Sequence, residues 1–366
     1  MSRVKFGDVV KDVKINIDRL NNPYEYYVAG DHMDSEDLTI HRKGCFTTDD
    51  VGPAFIRVFK PGQILYGSRR TYLKKIAVAD FEGVCANTTF VFETKDPHAF
   101  EQRLLPFIML SKDFTTWSIA KSKGSTNPYV LFSDLADFEF ELPPLEEQKV
   151  LVDKLWAAYR LKEAYKKLLV ATDEMVKSQF IEMFGQSTFT IEMQECFSMI
   201  RNGANIKQGQ VEGGFPITRI ETISDETIDR EKMGYAGIID NKYESYYLAD
   251  GDILVSHINS LKHIGKCALY SKQEDEIIIH GMNLLCLRPI REIVVPAFAI
   301  HMLRSDIIKK QIADITKPAV NQASFSVKDF GRIKAIIPDP DEQNKFVAIA
   351  EQADKSGSVL QHMIAC

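Results

Sequence analysis

A chain of 366 residues, 45% hydrophobic and 26% charged, has the composition of folded globular protein and is long enough for two or three separate cores. Its formal charge of −6 leaves no overall basic excess, so any contact with nucleic-acid phosphates has to come from a local basic patch. No run of about 18 apolar residues offers a membrane span, and six scattered cysteines (Cys45, Cys85, Cys196, Cys267, Cys286, Cys366) lack CxxC or metal-ligand spacing, which predicts reduced thiols in a cytoplasmic protein.

The first 143 residues read as a mostly β domain, with short β-branched and aromatic runs at Ile64-Leu65-Tyr66, Ile76-Ala77-Val78 and Phe90-Val91-Phe92. Between the first two lies a cationic turn that holds Ser68, Arg69, Arg70, Tyr72, Lys74 and Lys75. Arginine can grip guanine or phosphate through two parallel hydrogen bonds, and lysine serves as a point-charge contact to phosphate. A helical stretch follows over Leu104–Ile119, then a polar loop with Lys121, Lys123, Ser125 and Asn127. Both turns are candidates for DNA contact, against the plainer reading of solvated loops.

Pro143-Pro144 fits a helix entrance, Glu146 and Glu147 suit the positive end of the helix dipole, and Gly185 is a natural stop. The span 144–185 is therefore expected as one helix of roughly 60 Å. Alternating steps of four and three residues from Val150 to Ser178 mark a coiled-coil seam whose apolar positions include Val150, Ala157, Leu161, Ala164, Leu168 and Met175.

The remainder repeats the first part. Gly62-Gln63-Ile64-Leu65 is answered by Gly251-Asp252-Ile253-Leu254, Asn87 by Asn283, and Leu142-Pro143-Pro144-Leu145-Glu146-Glu147-Gln148 by Ile337-Pro338-Asp339-Pro340-Asp341-Glu342-Gln343. The offsets are 189, 196 and 195 residues, too nearly constant for chance. The second β-rich domain occupies 186–338, with a helical stretch over Val295–Ile315. Its own turn carries His257, Asn259, Lys262, His263 and Lys266, and its own loop carries Lys317, Asn321 and Gln322. Asn259 has the paired donor and acceptor that suit adenine. A distal helix over 339–366 keeps a heptad-like step at Phe346, Ile349, Ala353 and Leu360, interrupted by Gly357. The expected fold class is α+β: two repeated β-rich domains joined by two long helices packed antiparallel, the β domains at opposite ends of a shared stalk.

Catalytic constellations are missing. There is no GxxxxGK[ST] phosphate loop and no GxGxxG in a βαβ setting. Asn127-Pro128-Tyr129 lacks the second proline of the adenine-methyltransferase loop. Asp80 with Glu93-Thr94-Lys95 is the best nuclease candidate, but such triplets are common in a chain this charged. No metal site is expected. The N-terminal Met1-Ser2-Arg3-Val4-Lys5 runs into polar sequence without a signal peptide's apolar stretch. At this level a DNA reader, a coiled-coil protein scaffold and a stand-alone restriction endonuclease all stay open.

The helix entrance Glu141-Leu142-Pro143-Pro144-Leu145-Glu146-Glu147-Gln148, the Gly-Gln-Ile-Leu and Gly-Asp-Ile-Leu strands, and the Lys123-Gly124-Ser125 and Asn321-Gln322 loops resemble those of specificity (S) subunits of type I restriction–modification systems. The resemblance covers essentially the whole chain. It implies two target-recognition domains, each reading one half of a split site on double-stranded DNA, with the helices setting the spacer and docking methyltransferase (M) subunits. It implies no catalytic site and no cofactor on this chain. S-adenosylmethionine, ATP and Mg would belong to the M and restriction (R) subunits. Two departures stand out: an aspartate displaces one proline at the second helix entrance, and the distal helix is short for the family.

Overall fold

The structure is a computed structural model that describes residues 2–18, 21–187, 189–206, 213–239, 241–319 and 322–365. It divides into two compact units, Met1–Leu161 and Lys162–Cys366. The first contains β1 (Ser2–Lys5), α1 (Phe6–Val9), β2 (Val10–Asp12), β3 (Tyr26–Val28), β4 (Gly44–Cys45), β5 (Phe55–Phe59), β6 (Ile64–Gly67), β7 (Ile76–Val78), β8 (Gly83–Ala86), β9 (Thr89–Thr94), α2 (Leu105–Leu110), α3 (Lys112–Ala120), α4 (Phe132–Ala136) and β10 (Glu139–Leu142). Helix α5 (Leu145–Phe184) begins in this unit and ends in the next. The second contains β11 (Thr190–Glu192), α6 (Met193–Cys196), β12 (Phe197–Asn202), β13 (Pro216–Ile217), β14 (Gly234–Tyr235), β15 (Ile253–Ser256), β16 (Ile258–Asn259), β17 (Cys267–Leu269), β18 (Leu284–Pro289), α7 (Pro296–Arg304), α8 (Asp306–Ile315), β19 (Lys317–Pro318), β20 (Ala323–Ser324), α9 (Val327–Arg332), β21 (Lys334–Ile336) and α10 (Pro340–Ala365).

The repeat is topological. A four-stranded antiparallel sheet of order β2-β9-β6-β7 in the first unit matches β12-β18-β15-β17 in the second. The repeated glycine motif makes the same turn twice. Gly62 and Gly251 both have left-handed backbone, at φ 85° and 89°, which costs glycine least. The next side chain then closes each turn: Gln63 Oε1 accepts the N–H of Lys60 at 2.8 Å, and Asp252 Oδ2 that of Ala249 at 2.7 Å. The expected helical stretches are each broken once, at Ser111 and Ser305, whose hydroxyls cap α3 and α8.

Each unit closes by pairing its first and last strands, β1 with β10 and β11 with β21, both antiparallel. That pairing delivers the chain into α5 or α10. The expected α+β class, with two repeated β-rich units and two long helices, is the one observed. In the second unit Phe180 and Phe184 of α5 meet Phe346 of α10, while Leu169 of α5 meets Gly357 further along α10, so the two helices run antiparallel.

Two helix expectations need correction. Gly357 does not interrupt α10, which is continuous over its 26 residues. A glycine there costs about 1 kcal/mol of helix propensity, but it lets Leu169 approach: a Cβ at Gly357 would lie 3.3 Å from its Cδ1. The seam on α5 is also misplaced. In the first unit Val152 is buried, and Leu155, Trp156 and Tyr159 pack on the β-rich core, whereas Val150 and Ala157 lie on nearly the opposite face and are exposed. Leu161 is 51% exposed, and Ala164 is exposed too. In the second unit Val176, Phe180 and Phe184 are the buried positions. Leu168 and Met175 are half exposed and border a groove with Ile349, Ala353 and Leu360. The physical reason is that α5 packs on the core of a β-rich unit, where aromatic side chains bury the most surface. A uniform heptad seam presumes one partner helix throughout.

Candidate nucleic-acid interface

The two polar segments picked out in each half of the sequence are joined by backbone hydrogen bonds in the fold. In the first unit the N–H of Arg70 donates to the Pro128 carbonyl at 2.7 Å, and that of Val130 to the Ser68 carbonyl at 3.0 Å. Lys123 and Tyr129 exchange two further bonds, which folds 123–129 into a hairpin. Thr71 Oγ1 and Ser122 Oγ, 3.1 Å apart, tie the segments again. In the second unit β20 pairs with both β16 and β19, so the strand of Ile258 and Asn259 in the turn after β15 joins Lys317–Pro318 and Ala323–Ser324 in one three-stranded ribbon. Both assemblies grow from the same end of the central sheet, just past β6 and just past β15.

The side chains sort by what they already hold. Those of Arg69 and Arg70 are exposed and have no hydrogen-bonding or ionic partner among the described residues, with Tyr72, Ser125 and Asn127 exposed around them. Arg70 adopts left-handed backbone, φ 52°, as does Lys74, φ 47°, at the two ends of the short helix Thr71–Leu73. Lys121 places its ammonium 4.8 Å from the centre of the Trp117 ring. The remaining candidates are engaged within the fold. Lys74 pairs with Glu36, Lys75 donates to the Gly30 carbonyl, and Lys123 sits 3.0 Å from Asp134, whose carboxyl it holds below the usual range. Ser68 is buried, its hydroxyl donating to the Thr88 carbonyl.

In the second unit Lys262, Lys317 and Gln322 are exposed, and His263 is half-buried. Asn321 lies outside the described residues. Asn259 has its amide engaged locally, donating to Ser256 Oγ at 3.1 Å and accepting from the N–H of Ser260. Lys266 donates to the Ser224 carbonyl. His257 is buried against Phe325, and burial pushes its imidazole down to about 4. Buried and neutral at neutral pH, His257 lines the turn from within and does not present its side chain on the surface.

Two positions were not among the candidate contacts read from the sequence. Tyr129 is exposed beside Arg69 as its bridge partner. Arg201, at the end of β12, lays its guanidinium 3.7 Å from the centre of the Tyr246 ring and donates to the Ser245 carbonyl. No spacing or motif joins positions 201 and 246, so only the fold could pair them. The nuclease triplet does not assemble: Glu93 pairs with Lys11, Lys95 donates to the Gly7 carbonyl, and β6 lies between the strand of Glu93 and the strand that leads to Asp80.

Comparison with known proteins identifies the family. The family model described as type I restriction modification DNA specificity domain matches twice, over residues 19–169 and 190–362. The chain is 42% identical over 166 residues to the putative type I restriction enzyme MjaX specificity subunit of Methanocaldococcus jannaschii, covering 44% of this chain and 38% of that one. It is 22% identical over 230 residues to the type I restriction enzyme EcoKI specificity subunit of Escherichia coli K12, covering 58% and 49%. The chain thus matches less than half the length of either relative. Among solved structures, the type I restriction–modification S subunit from M. genitalium aligns with a TM-score of 0.56 at 15% identity, over all of this chain and 92% of that one. A chain from a study of complex assembly and conformational transition in a type I system aligns with the same score and coverage at 19% identity. At such identities these structures speak for the fold alone.

Proposed function

This chain belongs to the type I restriction–modification DNA specificity family, and from that premise we propose that it reads a bipartite site on double-stranded DNA and carries no catalytic site. Residues 1–143 read one half-site and 186–338 the other. The helices over 144–185 and 339–366 set the spacer and dock methyltransferase subunits. The methyl donor, ATP and Mg belong to the methyltransferase and restriction subunits.

The observation that supports this best is the joined turn and hairpin at the same sheet end in both units, with different side chains on each. Two equal scaffolds with unlike tips suit two unlike half-sites. Phosphate contacts from Arg69, Arg70, Lys262 and Lys317 would hold register, and base-edge contacts from the same turns would specify sequence. The engaged lysines would shape the turns.

The test is methylome sequencing of cells that carry the neighbouring methyltransferase gene, with and without this gene. The expected result is a split motif that disappears with the gene. Exchanging the tip residues of one unit should change one half of that motif only. Methylation that persists unchanged without the gene, or modification of DNA by the isolated chain, would sink the reading.

A further inference from the structure

One glutamine in each unit occupies the same buried place at the joint between the β-rich body and the long helix. Gln148 is wholly buried in the first turn of α5. Its Nε2 donates to the carbonyls of Ala99 at 2.9 Å and Pro143 at 2.8 Å, and its Oε1 accepts the N–H of Glu101 at 2.9 Å. Gln343 is wholly buried in the first turn of α10. It donates to the carbonyls of Ile293 and Pro338 and accepts the N–H of Val295, all at 2.9 Å. Partner for partner, the two clamps are the same. Each ties the helix entrance to the segment that leads into α2 or α7, wholly within its own unit.

Apolar packing alone could close this joint, as Val152 and Phe346 show nearby. Apolar contact is non-directional, whereas a hydrogen bond weakens steeply as it bends. A neutral side chain with two donors and an acceptor, long enough to span three backbone groups, is a glutamine. Asparagine is one methylene short, and glutamate lacks both donors. The amide survives even where the neighbouring proline is displaced, at Pro338-Asp339-Pro340.

We propose that Gln148 and Gln343 are positioning residues that fix the direction in which each long helix leaves its recognition unit, and thereby the number of base pairs between the two half-sites. The inference rests on the bipartite reading above. Loosening either clamp leaves the tips that meet the bases in place but lets the half-sites be met at more than one separation.

The experiment assembles the full chain with its methyltransferase subunit, as wild type and as Gln148→Asn, Gln343→Asn, Gln148→Glu and Gln343→Glu. Methylation is measured on duplexes that hold the wild-type half-sites at the native spacer and at spacers one base pair shorter and longer. The asparagine variants keep the amide and the glutamate variants keep the length, so one series tests the other if either misfolds. The preference for the native spacer is expected to fall by about tenfold, the scale of one or two lost buried hydrogen bonds, while any changed half-site base still abolishes methylation. Folded, complex-forming variants that keep the wild-type spacer preference overturn the proposal. So does a loss of methylation spread equally over all three spacers. A wild-type complex without a bipartite motif fails the underlying reading instead, and does so before any variant is made.

Discussion

Arg69 and Arg70 differ from Lys74 and Lys75 in what each must give up to meet a phosphate. The arginine side chains have no partner to release among the described residues, while Lys74 would have to leave Glu36 and Lys75 the Gly30 carbonyl. An exposed ion pair is worth only about 0–1 kcal/mol, so the lysines are not barred, but the arginines are the ready contacts. Arg69→Ala with Arg70→Ala should weaken duplex binding by the assembled complex and reduce the slope of log affinity against log salt by about 2. Anisotropy titrations across a salt series measure this, with Lys75→Ala plus Lys123→Ala as the comparison of smaller effect. An unchanged slope would remove the two arginines from the interface. The basic turns were legible in the sequence because clustered charge between apolar strands is a local property. Which of those charges were already held was not, because Glu36 and Gly30 are brought there by the fold.

The long helices show the same division at the next scale. Prolines at the entrance, acidic residues in the first turn and a glycine at the stop all act locally, and α5 spans Leu145–Phe184 as they predict. Its buried face depends on what it packs against. Phe346, wholly buried among Phe180, Phe184 and Phe298, should lose about 3–5 kcal/mol on substitution by alanine. Leu161→Asp, which a continuous seam would make severe, should change the chain's own stability by no more than about 0.5 kcal/mol, because the side chain is 51% exposed. Denaturant unfolding of the full chain compares the two directly. Equal destabilisation would restore the seam that the fold displaces.

For the whole molecule, the net charge of −6 fits basic tips on an otherwise acidic body. Its response to acid follows from three histidines of the second unit. Burial pushes His257, His280 and His301 down to about 4 from an ordinary value of 6.5. The native state therefore keeps all three neutral until well below the pH at which the unfolded chain takes up protons. Stability from this source is complete above about pH 6.5 and is lost as the pH falls from there towards 4. Glu276, held down to about 2 chiefly by its hydrogen bonds with Arg230, loses its contribution only in a lower window, below about pH 4.5. The melting midpoint of the full chain should thus drop between about pH 7 and about pH 5, and His257→Gln should flatten that drop. A profile already flat in the wild type would contradict the neutral burial of these rings.

The repeat, the α+β class, the entrances of both long helices and the family are legible in the amino-acid sequence, since each is written in local propensity or in residues that recur at a nearly constant offset. The tertiary structure alone decided which face of α5 is buried, which lysines are held, how Arg201 meets Tyr246, and that two glutamines clamp the helix entrances. Those outcomes depend on groups far apart in the chain, and the directions of burial and hydrogen bonding exist only once the fold has brought them together.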